Sequence, residues 1–422
     1  MRRVALFVLC GLAGVSSTAG GAENWPQFHG PAHDAQTDAK RLPLEWGEGH
    51  NVTWKTAIPG RAWSSPVVWG RQVWLTTATA NGTRMSVLCV DRDSGRITSD
   101  IPLLTHAEPD QINAVNSYAS PTPVVEAGRL YVHFGSYGTA CLETATGRTL
   151  WLRRDLKCDH GVGPGSSPLM VGRLLILTFD GMDAQFLAAL DKATGKTVWK
   201  TKRSTDFGDI DGDLRKAFST PIVIEAGGRR QLISAGAGAA MAYDPGTGRE
   251  LWRVRYGRGF STASRPVFAG GVVVVNSGFS RFDLLAVRPD GGGDVTETHV
   301  AWTLRRGPTK TSPIVVGGRL LLLTDRGTLT CVDPATGEQV WRERIRGRFT
   351  ATPLAAGRRV YLFSEDGTTT VAEAGPQYKQ LAVNKLDAGC MASPAVAGEA
   401  IILRTKTHLY RIEQRDAEAT SE

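Results

Sequence analysis

The sequence lacks the short motifs on which many enzyme active sites depend. It has no H-E-x-x-H zinc motif, no C-x-x-C pair, no G-x-S-x-G nucleophile turn and no C-x-x-C-H haem-attachment site. Its glycine-rich stretch at 236–238 lacks the strand-to-helix context that a phosphate-binding loop needs. These absences exclude the familiar zinc-protease, serine-hydrolase and c-type haem designs.

Long apolar runs are also absent, because no segment beyond residue 22 is apolar enough to span a bilayer. Residues 1–22 combine two arginines, an apolar stretch and a small-residue segment, a pattern that predicts a cleaved signal peptide. The large Leu9 before Cys10 does not fit a lipobox, in which that position is small. We therefore expect an exported protein, periplasmic or extracellular, without a lipid anchor or a transmembrane segment.

The excess of positive charge is modest. Removal of residues 1–22 lowers the net charge from +8 to +6, because this segment carries two arginines and no acid. The other basic residues are spread over turns, such as Arg229-Arg230, rather than gathered in one patch. Dispersed charge is typical of a solvated surface, so no nucleic-acid partner is expected.

A nine-residue phrase is repeated along the chain. It consists of an acid, a Thr-Gly turn and a short run that ends in tryptophan. Glycine accepts positive φ and the acid and threonine can bond turn backbone, so each copy predicts a turn between two strands. A fifth copy, at 91–99, keeps the turn but ends in Ser99. The four full copies begin at Glu143, Asp191, Asp244 and Asp333.

A second signal, a small hydroxylated residue followed by proline, begins eight apolar runs. In one of the eight, arginine replaces the hydroxylated residue, giving Arg265-Pro266. From Pro66 to Pro394 the seven intervals average about 47 residues, a period expected of four-stranded propeller blades. The sequence therefore predicts an all-β, eight-bladed propeller of antiparallel blades. The residues before these prolines, here called the blade-start residues, are Ser65, Thr122, Ser167, Thr220, Arg265, Ser312, Thr352 and Ser393.

The tryptophans indicate how the ring closes. Blades 2 to 6 each end in one, whereas the chain after the eighth blade-start residue ends without a fourth strand. Residues 51–55, ahead of the first blade start, form an orphan outer strand with Trp54, which we expect to complete blade 8 and remove the open sheet edges. The expected anchors of the architecture are Trp54, Trp151, Trp199, Trp252, Trp302, Trp341, Gly147, Gly195, Gly248 and Gly337.

Five cysteines remain after residue 22, an odd number that leaves at least one thiol unpaired, and their positions support no disulfide framework. Cys89, Cys141 and Cys331 each stand two residues before the acid of a turn phrase, where other blades have alanine. They are expected to be small buried residues in separate blades. Cys158 and Cys390 lie near the beginnings of blades, where greater exposure is expected.

The repeated phrase resembles the tryptophan-docking motif of the eight-bladed quinoprotein, or PQQ-like, propellers. The resemblance extends over about residues 46–412, leaving 23–45 as an N-terminal extension and 413–422 as a tail expected to be disordered. That superfamily includes PQQ-dependent alcohol dehydrogenases and non-catalytic members such as the outer-membrane assembly lipoprotein BamB. The fold alone does not choose between these functions.

The enzymes of this superfamily use an adjacent cysteine pair over PQQ and a calcium ion held by carboxylates and an asparagine. This chain has no two adjacent cysteines and no haem attachment, which argues against that activity. The alternating acids Asp209, Asp211 and Asp213 resemble a calcium loop, but the glycine after the third acid and the distal glutamate of an EF-hand are missing. We therefore predict no metal site, with PQQ and calcium kept as possible cofactors.

Candidate ligand-binding residues lie in the loops between blades. Asp159 and His160 stand in a glycine-rich loop that would allow close backbone approach at the channel mouth, although a tight turn in which His160 bonds local backbone is the favoured explanation. Arg265 and Lys310 replace small residues and could point cations into the channel, or be bridged to acids such as Asp180 or Asp183. Trp63, Tyr118 and Asn116 would complete a funnel suited to an anionic or planar ligand.

Three functions follow. The favoured one is an exported, monomeric, non-catalytic scaffold that binds another protein or an envelope component. The second is a PQQ-dependent dehydrogenase with an atypical site. The third is a carbohydrate-binding or lyase-type propeller that uses Trp63, Tyr118 and His160.

Overall fold

The computed structural model describes residues 23–415, and the predicted signal peptide at 1–22 lies outside the described residues. The chain forms eight four-stranded antiparallel sheets arranged as the blades of a propeller, with only two short 3-10 turns in this range, Gly135–Tyr137 and Gly212–Arg215. This confirms the predicted fold class. No helix within 23–415 has the length and apolar character needed to cross a membrane.

The strands follow the chain from the channel outwards in blades 1 to 7. Blade 1 consists of Val67–Trp69, Gln72–Ala78, Arg84–Asp91 and Ile97–Thr105, and blade 2 of Val124–Glu126, Arg129–His133, Thr139–Glu143 and Thr149–Arg153. Blade 3 consists of Leu169–Val171, Leu174–Asp180, Gln185–Asp191 and Thr197–Lys202, and blade 4 of Ile222–Ala226, Arg229–Ala235, Ala239–Tyr243 and Glu250–Arg255. Blade 5 consists of Val267–Ala269, Val272–Asn276, Leu284–Val287 and Val300–Leu304. Blade 6 consists of Ile314–Val316, Arg319–Leu323, Thr328–Val332 and Gln339–Arg344, and blade 7 of Leu354–Ala356, Arg359–Phe363, Thr368–Ala374 and Tyr378–Lys385.

Blade 8 closes the ring with strands from both ends of the chain. Its inner strands are Ala395–Ala397, Ala400–Arg404 and His408–Glu413, and Val52–Ala57 pairs antiparallel with the last of them as the outer strand. This confirms the prediction that an N-terminal strand completes blade 8. Closure pairs a sheet edge that would otherwise remain open.

The repeated tryptophan joins one blade to the next at four of the eight junctions. The Trp199 indole N–H donates to the Pro245 carbonyl at 3.1 Å, and a Cβ added to Gly248 would lie only 2.5 Å from the Trp199 ring. Glycine at this turn therefore provides both positive φ, +72°, and room for the ring. The same two contacts recur between Trp54 and the Asp91 turn, Trp151 and the Asp191 turn, and Trp302 and the Asp333 turn.

The other four junctions depart from this pattern. Trp341 donates to the Gly375 carbonyl at 3.0 Å, outside any turn phrase, and blade 7 has no tryptophan. Trp252 donates instead to the Gln231 side chain in its own blade, because blade 5 has no turn phrase and contributes the short strand Gly293–Asp294 alongside Trp252. In blade 1, which lacks the tryptophan, Ile101 packs over Gly147 of blade 2. An aliphatic side chain thus replaces the ring where the phrase ends in Ser99.

The N-terminal extension crosses one end of the channel. Trp25 pairs with Val68 of blade 1, and Gln36–Thr37 runs parallel to the inner strand of blade 7. Between these points Arg265 of blade 5, on the far side of the ring from blade 1, binds the carbonyl oxygens of Phe28 and His33 at 3.2 and 3.1 Å. The extension therefore covers the base of the channel.

All five cysteines within the described residues are free and buried. The expectation that Cys158 and Cys390 are more exposed is wrong, since they are 6% and 2% exposed. Both side chains pack into apolar clusters between blades. Burial raises the pKa of the Cys390 thiol to about 12, which keeps it protonated.

Candidate functional site

The blade-start residues form a hydrogen-bonded ring around the channel. In it, the backbone N–H of one blade-start residue donates to the hydroxyl oxygen of the next at 2.9 to 3.1 Å. Two runs result, Ser65 to Thr220 and Arg265 to Ser393. The sequence pattern placed these residues ahead of the inner strands, but their mutual contact depends on the closed ring.

A cavity of about 490 Å³ opens above this ring, on the face formed by the loops that lead from one blade into the next. Phe28 from the N-terminal extension lies at its base together with the hydroxyls of blade-start residues. Aromatic side chains dominate the walls, which makes the mouth apolar and the floor polar. These wall residues are Trp63, Phe218, Phe260 and Phe279.

Two lysines line the cavity, and both are engaged. The Lys216 amine is buried and donates to the Asp213 carbonyl at 2.8 Å and to the Asp213 carboxylate, while lying 5.7 Å from the centre of the Phe260 ring. Lys310 Nζ lies 3.6 Å from the Glu365 carboxylate and retains partial exposure. Lys310 is therefore the wall cation with the looser partner.

Three of the seven predicted ligand-binding residues line this cavity: Trp63, Asn116 and Lys310. The Trp63 indole N–H donates to the Val115 carbonyl at 3.0 Å, which fixes the ring at the mouth. The Asn116 amide donates to the Val162 carbonyl at 2.9 Å and accepts from Ser120 at 2.6 Å. Asn116 thus ties two wall loops together.

Tyr118, Asp159 and His160 lie outside the cavity lining. Tyr118 is buried over Gly82 and donates to the Asp110 carbonyl at 2.7 Å. His160 Nε2 accepts the Ser136 N–H at 3.2 Å, and burial lowers its pKa to about 4. Asp159 accepts the Gly161 N–H at 2.8 Å, so the local-turn interpretation describes these two residues better.

Arg265 also points away from the cavity. It is 2% exposed, and its guanidinium binds the carbonyl oxygens of Pro221, Phe28 and His33 at the base of the channel. The prediction that Arg265 occupies a blade-start position is confirmed, but its side chain faces the N-terminal extension. Neither Asp180 nor Asp183 bridges it: Asp180 pairs with Arg203 at 2.5 Å, and Asp183 accepts the Asp159 N–H at 2.6 Å.

The acidic groups do not form a calcium or quinone site. Within 23–415 no three His, Cys, Asp or Glu side chains lie close enough to share a metal ion. Asp180 is saturated by Arg203, Asp183 accepts the Asp159 N–H at 2.6 Å, and Asp213 binds Lys216. A calcium-bound quinone needs free carboxylates, so these residues do not fit that group.

The sequence did not reveal the aromatic group at the mouth. Phe279 and Phe282 are 37% and 38% exposed, and their ring centres are 5.9 Å apart. Phe282 and Ser280 have positive φ, 58° and 74°, which is a strained conformation for non-glycine residues. Exposed aromatics on a strained turn indicate a binding surface, but only the folded loop shows that they stand beside the cavity.

Comparison with known proteins shows that this chain is similar in sequence to a tetrathionate hydrolase and to an outer membrane protein assembly factor. The chain is 24% identical over 311 residues to the tetrathionate hydrolase of Acidithiobacillus ferrooxidans, covering 68% of this chain and 56% of that protein. It is 28% identical over 208 residues to the outer membrane protein assembly factor BamB of Alkalilimnicola ehrlichii, covering 48% and 49%. The alignments span about half the length of these curated relatives.

Among solved structures, the quinohemoprotein alcohol dehydrogenase of Comamonas testosteroni matches with a TM-score of 0.64 at 12% identity, over 95% of this chain and 82% of that one. This likeness shows a shared fold. The family model described as outer membrane protein assembly factor BamB matches residues 51–229 and 280–376. Because these ranges make up more than half of the chain, the protein belongs to the BamB family of propellers.

Proposed function

We propose that this protein is an exported, non-catalytic scaffold that binds a protein of the cell envelope through the mouth of its channel. The observation that carries the proposal is the exposed apolar rim formed by Val115, Phe279 and Phe282, with exposed fractions of 63%, 37% and 38%. Exposed aromatic groups beside a cavity are typical of protein-binding surfaces. Membership of the BamB family supports an assembly role.

The ionisable groups near the mouth support binding rather than catalysis. A general acid or base needs a free titratable group within reach of a ligand. Lys216 is held by Asp213 and Lys310 is paired with Glu365 at 3.6 Å, while His160 is held by Ser136 outside the cavity. The described residues also do not form the carboxylate cluster that holds calcium in a quinoprotein enzyme.

Site-specific photo-crosslinking in the producing bacterium tests this proposal. A photoreactive phenylalanine analogue at Phe279 or Val115 is expected to give one adduct with an outer-membrane-protein assembly component. The same group at Val340, which is 41% exposed on an outer strand of blade 6, is the matched control and should give no such adduct. Cell fractionation of the same strains checks export.

A purified complex provides the second test. The double substitution Phe279→Asp and Phe282→Asp should raise the Kd for the crosslinked partner by roughly tenfold or more, because it places two charges in the apolar contact. Val340→Asp should leave the Kd unchanged. Equal crosslinking at Val340, or an unchanged Kd for the double variant, would refute binding at the mouth.

A further inference from the structure

Six hydroxyls of blade-start residues surround the floor of the channel cavity. Each belongs to a different blade, and each residue is at least nine-tenths buried, with exposed fractions between 2% and 7%. The six residues are Ser65, Thr122, Ser167, Thr220, Thr352 and Ser393. The protein-binding surface proposed at the mouth does not involve this ring of buried polar side chains.

These hydroxyls retain unused donors. Five of the six accept a backbone N–H from the neighbouring blade-start residue, as Ser167 does from Thr122 at 2.9 Å. A hydroxyl carries one proton as well as its acceptor lone pairs. Among the residues that the structure describes, none of the six donates that proton to a protein acceptor. Their O–H groups are therefore available to an acceptor in the cavity.

The charges behind the ring favour an anionic acceptor. Arg404 of blade 8 is 3% exposed and is bound by the Ser64 and Thr76 carbonyl oxygens, at 3.3 and 2.9 Å, and by the Ser64 hydroxyl. Burial lowers the pKa of Arg404 to about 9, with no carboxylate of the described residues offsetting it, whereas for Arg265 the Asp34 carboxylate partly offsets the lowering of the pKa by burial. Buried positive charge is costly without a counter-ion, so an anion nearby is stabilised.

We propose that the ring of blade-start residues binds a small oxyanion, inorganic or a carboxylate, on the channel axis. Converging O–H donors supply the hydrogen bonds, while Arg404 and the wall cation Lys310 supply the positive potential. This site lies at the cavity floor and goes beyond the protein-binding surface at the mouth. It does not depend on a protein partner.

The chain offers a matched control for this proposal. Ser312 belongs to the same ring and accepts the Arg265 N–H at 3.0 Å, but it lines a second, separate cavity next to His33 and Arg265 rather than the cavity above the ring. Ser167→Ala and Ser312→Ala therefore remove equivalent structural hydrogen bonds. Only Ser167→Ala removes a donor from the proposed site.

Calorimetric titration of the purified protein with sodium sulfate, and separately with sodium acetate, at constant ionic strength tests the site. We expect one anion per chain, a roughly tenfold weaker Kd for the Ser167→Ala/Ser393→Ala double variant, and less than about a twofold change for Ser312→Ala. Tighter sulfate binding would assign an inorganic anion, and tighter acetate binding a carboxylate.

Melting curves without added anion show whether each variant is folded. The proposal is overturned if neither anion produces saturable heat with the wild-type protein. It is also overturned if Ser312→Ala weakens binding as much as the double variant, since the effect would then come from the ring structure rather than from donors in the cavity.

Discussion

The Arg265 guanidinium donates to Nδ1 of His33 at a distance of 3.2 Å. Because a guanidinium can only donate, the ring nitrogen must accept and the His33 imidazole must be neutral. The contact joins the start of blade 5 to the N-terminal extension across the base of the channel. The one blade-start residue without a hydroxyl is thus the anchor of the extension.

Arg265→Ala should release the extension without opening the ring. It removes charge-assisted hydrogen bonds to Phe28 and His33, and we expect a loss of about 2–4 kcal/mol in the free energy of unfolding. Chymotryptic cleavage at Phe28 should become faster while the propeller core resists. Unchanged cleavage kinetics would show that Trp25 and Gln36 alone hold the extension.

Stability should fall as pH falls from about 6.5 to 4. Burial lowers the pKa of His33 and His133 to about 3 and of His160 to about 4, and lowers that of His29 as well. In this window the unfolded chain binds protons that the folded chain does not. Each histidine therefore lowers the free energy of unfolding by up to about 1.4 kcal/mol for each unit by which the pH falls. Above about pH 6.5 none of them changes the free energy of unfolding.

Urea unfolding at several pH values measures this slope. His133→Gln should make it shallower, because His133 is 2% exposed and bonds Thr139 at 2.8 Å as a neutral ring. The same free energy of unfolding at pH 4.5 and pH 6.5 would contradict the buried neutral state.

Trp199→Ala should cost about 3–5 kcal/mol in the free energy of unfolding. The ring is 8% exposed and fills the junction between blades 3 and 4, so its removal leaves a cavity and an unpaired Pro245 carbonyl. Val198→Ala on the same strand is the control, because Val198 is 41% exposed. Similar urea midpoints for the two variants would refute the anchoring role.

Gly248→Ala should be more destabilising than Gly128→Ala. Both glycines have positive φ, +72° and +77°, but an added Cβ at Gly248 would overlap the Trp199 ring whereas Gly128 has open space. Gly128→Ala therefore reports only the backbone strain, about 1–3 kcal/mol. Trp199→Ala should relieve the extra cost at Gly248, and additive effects in the double variant would argue against the contact.

Titration with PQQ should give no calcium-dependent, stoichiometric binding. The carboxylates that could hold calcium are engaged, Asp180 by Arg203 and Asp213 by Lys216. The measurement is calorimetry with calcium and again with a chelator. Tight binding that is lost on chelation would revive the dehydrogenase interpretation.

Part of the site could be predicted from the sequence. Trp63, Asn116 and Lys310 stand in loops that lead into blades, and such loops gather on one face of a propeller. His160 and Arg265 have the same sequence context, yet His160 is held by Ser136 and Arg265 by the extension. Loop position predicts a face but not the direction of a side chain.

The number of blades, the tryptophan anchors and the closure by Val52–Ala57 follow from the amino-acid sequence, because they depend on local turn chemistry and a fixed period. The surroundings of the channel required the folded molecule. Phe28 reaches the cavity, and the hydroxyls of the blade-start residues meet one another, through contacts between residues far apart in the chain. No local pattern specifies such contacts, since they exist only when the ring is closed.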